Sequence, residues 1–160
     1  MHDGRIDQVG SPQEIYERPT TAFVSSFVGH VTLLGGESDG RGGFAADLPL
    51  QRGLPALLGE TPAGRTQLVL RPENLDVVDE ADAHFIGALL RSSYQGRSYR
   101  AAIRLADGTV CEVEHRRAAS AAAGDRVGIR VQQASLVPES DDYYRENVGD
   151  SADAELADVA

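Results

Sequence analysis

The sequence predicts a mainly β protein, an antiparallel barrel or sandwich of short strands preceded by a short hairpin and two short helices. Three observations predict it. In the second half, apolar residues alternate with polar ones over several short runs, the period of a half-buried strand. Gln95-Gly96, Asp107-Gly108 and Gly124-Asp125 separate those runs, and such pairs favour tight turns. The capped helix starts fall within residues 1–29.

At the N-terminus, Asp3-Gly4 suits a type I′ hairpin turn, whose central residues need positive φ. The strand before it is only Met1-His2, so the hairpin is expected to lack most of one strand and the chain reads as continuing upstream. Ser11 is placed as an N-cap, Pro12 at the first helical position and Glu14 to complete a capping box; Pro19 stops that helix. Thr20-Thr21 can cap a second helix. Its Phe23, Val24, Phe27 and Val28 share one face, and Gly29 supplies the stop.

From His30 the pattern changes to strands. Val31 to Leu34 reads as one, broken by Gly35-Gly36, and Gly53 to Arg65 as loop. Thr66 to Leu70 is a firmer strand, ending at Arg71-Pro72-Glu73, and Leu75 to Val78 resumes. Phe85, Gly87 and Leu89 alternate, as do Tyr99, Ala101, Ile103 and Leu105, with Arg100 and Arg104 on the opposite face and Arg97 at the strand's start. Cys111 and Val113 continue the period, and Val127, Ile129 and Val131 repeat it. Ala118 to Ala123 reads as one helical turn or a loop.

The net charge of −10 is uneven. From Pro138 onward eight acids face the single base Arg145, so that end carries −7 and leaves −3 for residues 1–137. It reads as a solvated, disordered tail. An acidic chain is a poor nucleic-acid binder, and no apolar run approaches the ~20 residues that cross a bilayer. The lone Cys111 excludes an intrachain disulfide and fits a reducing compartment, with the cytoplasm as the expected location.

The run Gly4-Arg5-Ile6, Gln8-Val9-Gly10-Ser11-Pro12, Glu14-Ile15-Tyr16, Pro19, Phe23-Val24 and Phe27-Val28-Gly29 resembles the end of the nucleotide-binding domain in ATP-binding subunits of ABC-type importers. The branch is that of polyamine, ferric-iron, phosphonate and sulfate importers, which carry a C-terminal regulatory domain. Leu70-Arg71-Pro72-Glu73, Gly87, Tyr94, Gly96, Tyr99, Asp107-Gly108 and Gly124-Asp125-Arg126-Val127 resemble its transport-associated OB-like domain, TOBE. The resemblance implies a nucleotide-binding-domain remnant over 1–29, an OB-like barrel over 30–137 and the acidic tail over 138–160. It also implies a role in pairing ATPase subunits, with the permease and the ATPase core as partners. All fifteen basic residues other than His are Arg. A P-loop needs a Lys that reaches the β/γ-phosphates, so no ATPase activity and no cofactor are expected.

Candidate sites are few. Arg71 and Glu73 flank Pro72 at a strand end, as an Arg offered to an anion or as a turn held by an Arg–carboxylate pair. If the barrel instead binds a small oxyanion, the alternative function, Arg97, Arg100 and Arg104 are the residues to test. Cys111 and His115 lie about 13 Å apart on an extended strand, too far to share a zinc, so no metal is expected, and no catalytic motif is present. A homodimer is expected, formed either through the regulatory domain's own contact or through Phe23, Val24, Phe27 and Val28, which are expected to lie exposed.

Overall fold

The computed structural model describes Gly4 and residues 6–116 and 121–139. The expected strand before the first turn, residues 118–120 of the Ala-rich stretch and the acidic tail past Glu139 lie outside the described residues.

The N-terminal segment forms the two expected helices. In α1 (Pro12–Glu17), the Glu14 backbone N–H donates to Ser11 Oγ at 3.3 Å and the Ser11 N–H donates to Glu14 Oε2 at 2.9 Å, a complete capping box. In α2 (Ala22–Phe27), Thr21 Oγ1 accepts the Val24 N–H at 3.2 Å. Gly29 does not end α2 through a left-handed residue. The cap is Val28, and a Cβ on Gly29 would stand 3.3 Å from Arg71 Nη1.

Nine strands follow. A four-stranded antiparallel sheet has the order β2-β1-β3-β9, built from β1 (Thr32–Asp39), β2 (Phe44–Ala46), β3 (Ala63–Leu70) and β9 (Ser135–Pro138). A five-stranded sheet has the order β4-β8-β5-β6-β7, from β4 (Leu75–Val78), β5 (Phe85–Tyr94), β6 (Tyr99–Arg104), β7 (Val110–His115) and β8 (Arg126–Val131). Its two outer strands, β4 and β7, touch each other, so the sheet curls into a barrel. A register shift between Leu89 and Arg91 lets β5 pair with β8 at one end and β6 at the other, the kink a bulge supplies.

Gly35-Gly36 is not the expected break. β1 runs through it, with Gly36 opposite Ala46 on one side and Thr66 on the other. A Cβ on Gly36 would clash with the Phe44 ring and the Ala45 carbonyl, so glycine there lets β2 lie close.

One core serves both sheets. Leu34, Leu68, Leu70 and Leu136 from the first meet Leu75, Phe85, Leu89, Ile103, Val113 and Ile129 from the second. Each large apolar side chain so buried contributes about 1.5–3 kcal/mol before entropic costs. The other face of β3 and β9 carries Val69 and Val137, which pack with Ala22 of α2 and with Val31 and Leu33 in a second, smaller cluster. His84 ties the loop before β5 to β8. Its Nδ1 accepts the Val131 N–H at 2.9 Å, and its backbone N–H donates to the Ile129 carbonyl at 2.8 Å.

Candidate functional site

Arg71 closes β3 at the entry to a 3-10 turn, Pro72–Asn74. The following proline disfavours helical backbone at Arg71, which is extended at φ −102°, ψ 136°. That conformation sends the side chain under the N-terminal helices, leaving the residue 4% exposed. Nη2 donates to the Tyr16 carbonyl at 3.0 Å and to the Ser25 carbonyl at 3.4 Å, and Cζ stands 3.9 Å from the centre of the Tyr16 ring. Neither expected role fits this geometry. Arg71 is not offered to a soluble anion, and Glu73 is exposed and forms no pair with it among the described residues. Burial pushes the guanidinium down from its ordinary value.

The other three arginines do not converge. Arg97 lies exposed in the turn before β6. Arg100 faces Glu112 at 3.5 Å and Glu114 at 3.8 Å across the β6–β7 pair, which offsets its charge. Arg104 is exposed at the far end of β6, opposite Val110, about 13 Å along the strand from Arg100.

Arg97 does line an open groove of about 1240 Å³, together with Glu73, Asp76, Glu114, His115 and Arg130. Much of its polarity is internally satisfied. Arg130 Nη2 donates to Asp76 Oδ2 at 3.0 Å, Gln132 Nε2 to the same oxygen at 2.6 Å, and Ser98 Oγ to Glu114 at 2.8 Å. Burial works against the Asp76 carboxylate, but the Arg130 and Gln132 hydrogen bonds outweigh it and hold the carboxyl below its usual range.

Cys111 is a core residue, fully buried, its thiol pushed up to about 12 by burial, so it is unreactive at neutral pH. The His115 ring sits 5.9 Å from that of Tyr99. Among the described residues no cluster of three His, Cys, Asp or Glu could hold a metal ion, and no helix is long and apolar enough to cross a membrane.

The α2 stripe is divided by the fold. Phe27 is 80% exposed and stacks on the half-buried Phe23 at 6.0 Å between ring centres. Val24 is 7% exposed and Val28 half-buried. The expectation of four open apolar side chains is corrected, because Val24 points inward alongside Ala22 and Ser25. Tyr16, Ser25 and Gly29, the partners of Arg71, were missed as site residues. They precede it by 55, 46 and 42 positions, and no local motif couples them.

Residues 68–138, which hold most of this barrel, match the TOBE domain family. The chain belongs with the C-terminal regions of ABC importer ATP-binding subunits. It is 35% identical over 117 residues to the spermidine/putrescine import ATP-binding protein PotA of Oleidesulfovibrio alaskensis, covering 66% of this chain and 30% of that one. Against the sulfate/thiosulfate import ATP-binding protein CysA of Rhodopseudomonas palustris it is 35% identical over 140 residues, 83% of this chain and 38% of that one. The Fe(3+) ions import ATP-binding protein FbpC 3 of Rhodococcus jostii gives 35% over 136 residues, 82% and 38%. The chain thus spans about a third of the length of these curated relatives. In fold it is similar to the cytoplasmic molybdate-binding protein ModG, solved with molybdate bound, at a TM-score of 0.52 and 10% identity, over 68% of this chain and 96% of that one.

Proposed function

We propose that this chain is the regulatory and dimerisation domain of an ABC importer ATP-binding subunit, acting in ATP-driven solute import without itself hydrolysing ATP. The observation that carries the reading is the reach of the likeness. At 83% of the chain, the match to an import ATP-binding protein extends well beyond residues 68–138, so the similarity is not to an isolated barrel. The 160 residues contain no Lys, and a P-loop requires one, which supports a non-catalytic role. On this reading the partners are an ATPase core, a permease and a second copy of the chain, at the cytoplasmic face of a membrane. Arg71 with Tyr16 holds the helical segment on the barrel, and the exposed Phe27 offers apolar surface for an assembled subunit.

The test is a chimera in which this chain replaces the matching third of the O. alaskensis import protein. It is expected to restore spermidine uptake above that of the same subunit truncated at the junction. Uptake no better than the truncated subunit's would overturn the reading.

The small-oxyanion reading takes second place. The ModG likeness favours it at the level of fold, but Arg97, Arg100 and Arg104 face separate surroundings and Arg100 already meets two carboxylates. Calorimetric titration with molybdate, sulfate and a phosphonate tests it, and micromolar binding lost on Arg97→Ala would restore it.

A further inference from the structure

We propose that Arg71 is the latch of a two-position joint between the helical segment and the barrel. The segment is docked in the structure, and in the other position it is released with the guanidinium in water. The inference concerns contacts inside this chain and does not depend on the import reading, although it would give that reading a moving part.

Four observations carry it. First, the segment is tied to itself. Gln8 Nε2 donates to the Arg18 carbonyl at 3.0 Å, the Thr20 N–H donates to Gln8 Oε1 at 3.1 Å, and α1 touches α2. Residues 8–27 are therefore built to move together.

Second, their apolar anchorage is thin. α1 buries no residue, and α2 buries Ala22, Val24 and Ser25, of which only Ala22 belongs to the small cluster with Val69 and Val137. The barrel's own core is separate and much larger.

Third, Arg71 reaches across this thin contact to both helices at once. Its Nη2 bonds Tyr16 O of α1 and Ser25 O of α2, its Cζ stands 3.9 Å over the centre of the Tyr16 ring, and a Cβ on Gly29 would come within 3.3 Å of Nη1. A planar fork that bonds and stacks simultaneously suits Arg and not Lys.

Fourth, the latch is opposed by its own burial. Arg71 is 4% exposed, no carboxylate among the described residues pairs with it, and Nη1 has no hydrogen-bond partner among them. A buried charge held by carbonyls and a ring, without an opposite charge, is favoured by contact and disfavoured by desolvation. Release returns the guanidinium to water and leaves the barrel core untouched. Such local openings are drawn from regions with little buried apolar contact.

Amide hydrogen exchange on the full chain tests this. The amides of Val24, Ser25 and Val28 are bonded within the segment, and a six-residue α2 released from the sheet is too short to hold them. In the wild type they should therefore exchange through an opening that leaves Ile103 and Ile129 protected. Arg71→Ala should speed exchange at those helix amides roughly tenfold or more with barrel amides unchanged, and Arg71→Lys should fall between. Tyr16→Leu removes the stacking partner from the helix side and should loosen the same amides, so the test survives if Arg71→Ala fails to fold. Helix amides that open only together with Ile103 and Ile129 would overturn the joint. So would helix exchange unaltered by both Arg71→Ala and Tyr16→Leu. The chimera's uptake is a separate readout, so either proposal can fail while the other stands.

Discussion

Replacing His84 by Phe while lowering the pH separates a proton-sensitive tie from ordinary packing. His84 is 8% exposed, and its Nδ1 accepts the Val131 N–H at 2.9 Å, so the ring must be neutral at that nitrogen. Burial lowers its pKa, Arg52 and then Arg130 add to the effect, and a hydrogen bond with the Gly53 backbone opposes it. The unfolded chain therefore binds a proton more readily than the folded one, and stability rises with pH between the two values. The His84 contribution is complete above the unfolded value of about 6.5. It is lost as the pH falls through that value toward the lower folded one. At pH 7.5, His84→Phe should destabilise the protein by about 1–3 kcal/mol, the cost of a buried N–H left without an acceptor. Urea unfolding of both proteins from pH 7.5 to 5.0 measures the gap. It should narrow on acidification, because only the wild type has His84 to protonate. A gap that stays flat across that range would refute the assignment.

Further outcomes follow from the same geometry. Gly87→Ala would put a Cβ 2.6 Å from both the Arg104 carbonyl oxygen and Ile103 Cγ2, so thermal unfolding should show a loss of about 1–3 kcal/mol from overpacking. Phe23→Ser with Phe27→Ser should weaken a homodimer in light scattering if it forms through α2, since burying Phe27 offers about 1.5–3 kcal/mol, and should spare one formed through the barrel. A chain monomeric at high micromolar concentration defeats both routes. The purified chain should release no phosphate from ATP, and chain-dependent turnover would contradict the non-catalytic reading.

What was legible in the sequence was local. Ser11, Pro12 and Glu14 announce α1 because a capping box closes within four residues. The alternation of Ala101, Ile103, Cys111 and Val113 names the inward face of β6 and β7 because a strand's period is two. What was hidden depended on a distant neighbour. Gly35-Gly36 looks like a break because glycine usually marks one, but here Gly36 is required by Phe44 and Ala45 on the next strand, and Gly35 lies against the Asp47 carboxylate. The helical period grouped Phe23, Val24, Phe27 and Val28, yet it could not say that Val24 turns inward and Phe27 outward. Arg71 reads as a surface residue in its tripeptide, and only the folded helices, far earlier in the chain, make it buried.

The pairing of β3 with β9 joins residues 66–69 to residues 135–138, and this sets an order of assembly. Ribosomal synthesis delivers β1, β2 and β3 long before Ser135, so the first sheet waits with one margin open while the second sheet is made. Gln67 and Val69, buried in the finished protein, stay uncovered on the β9 side until then. The last described strand acts as a closure signal: a nascent chain halted anywhere before Ser135 carries a sticky β3 margin, open to the edge-to-edge association that unpaired strands invite.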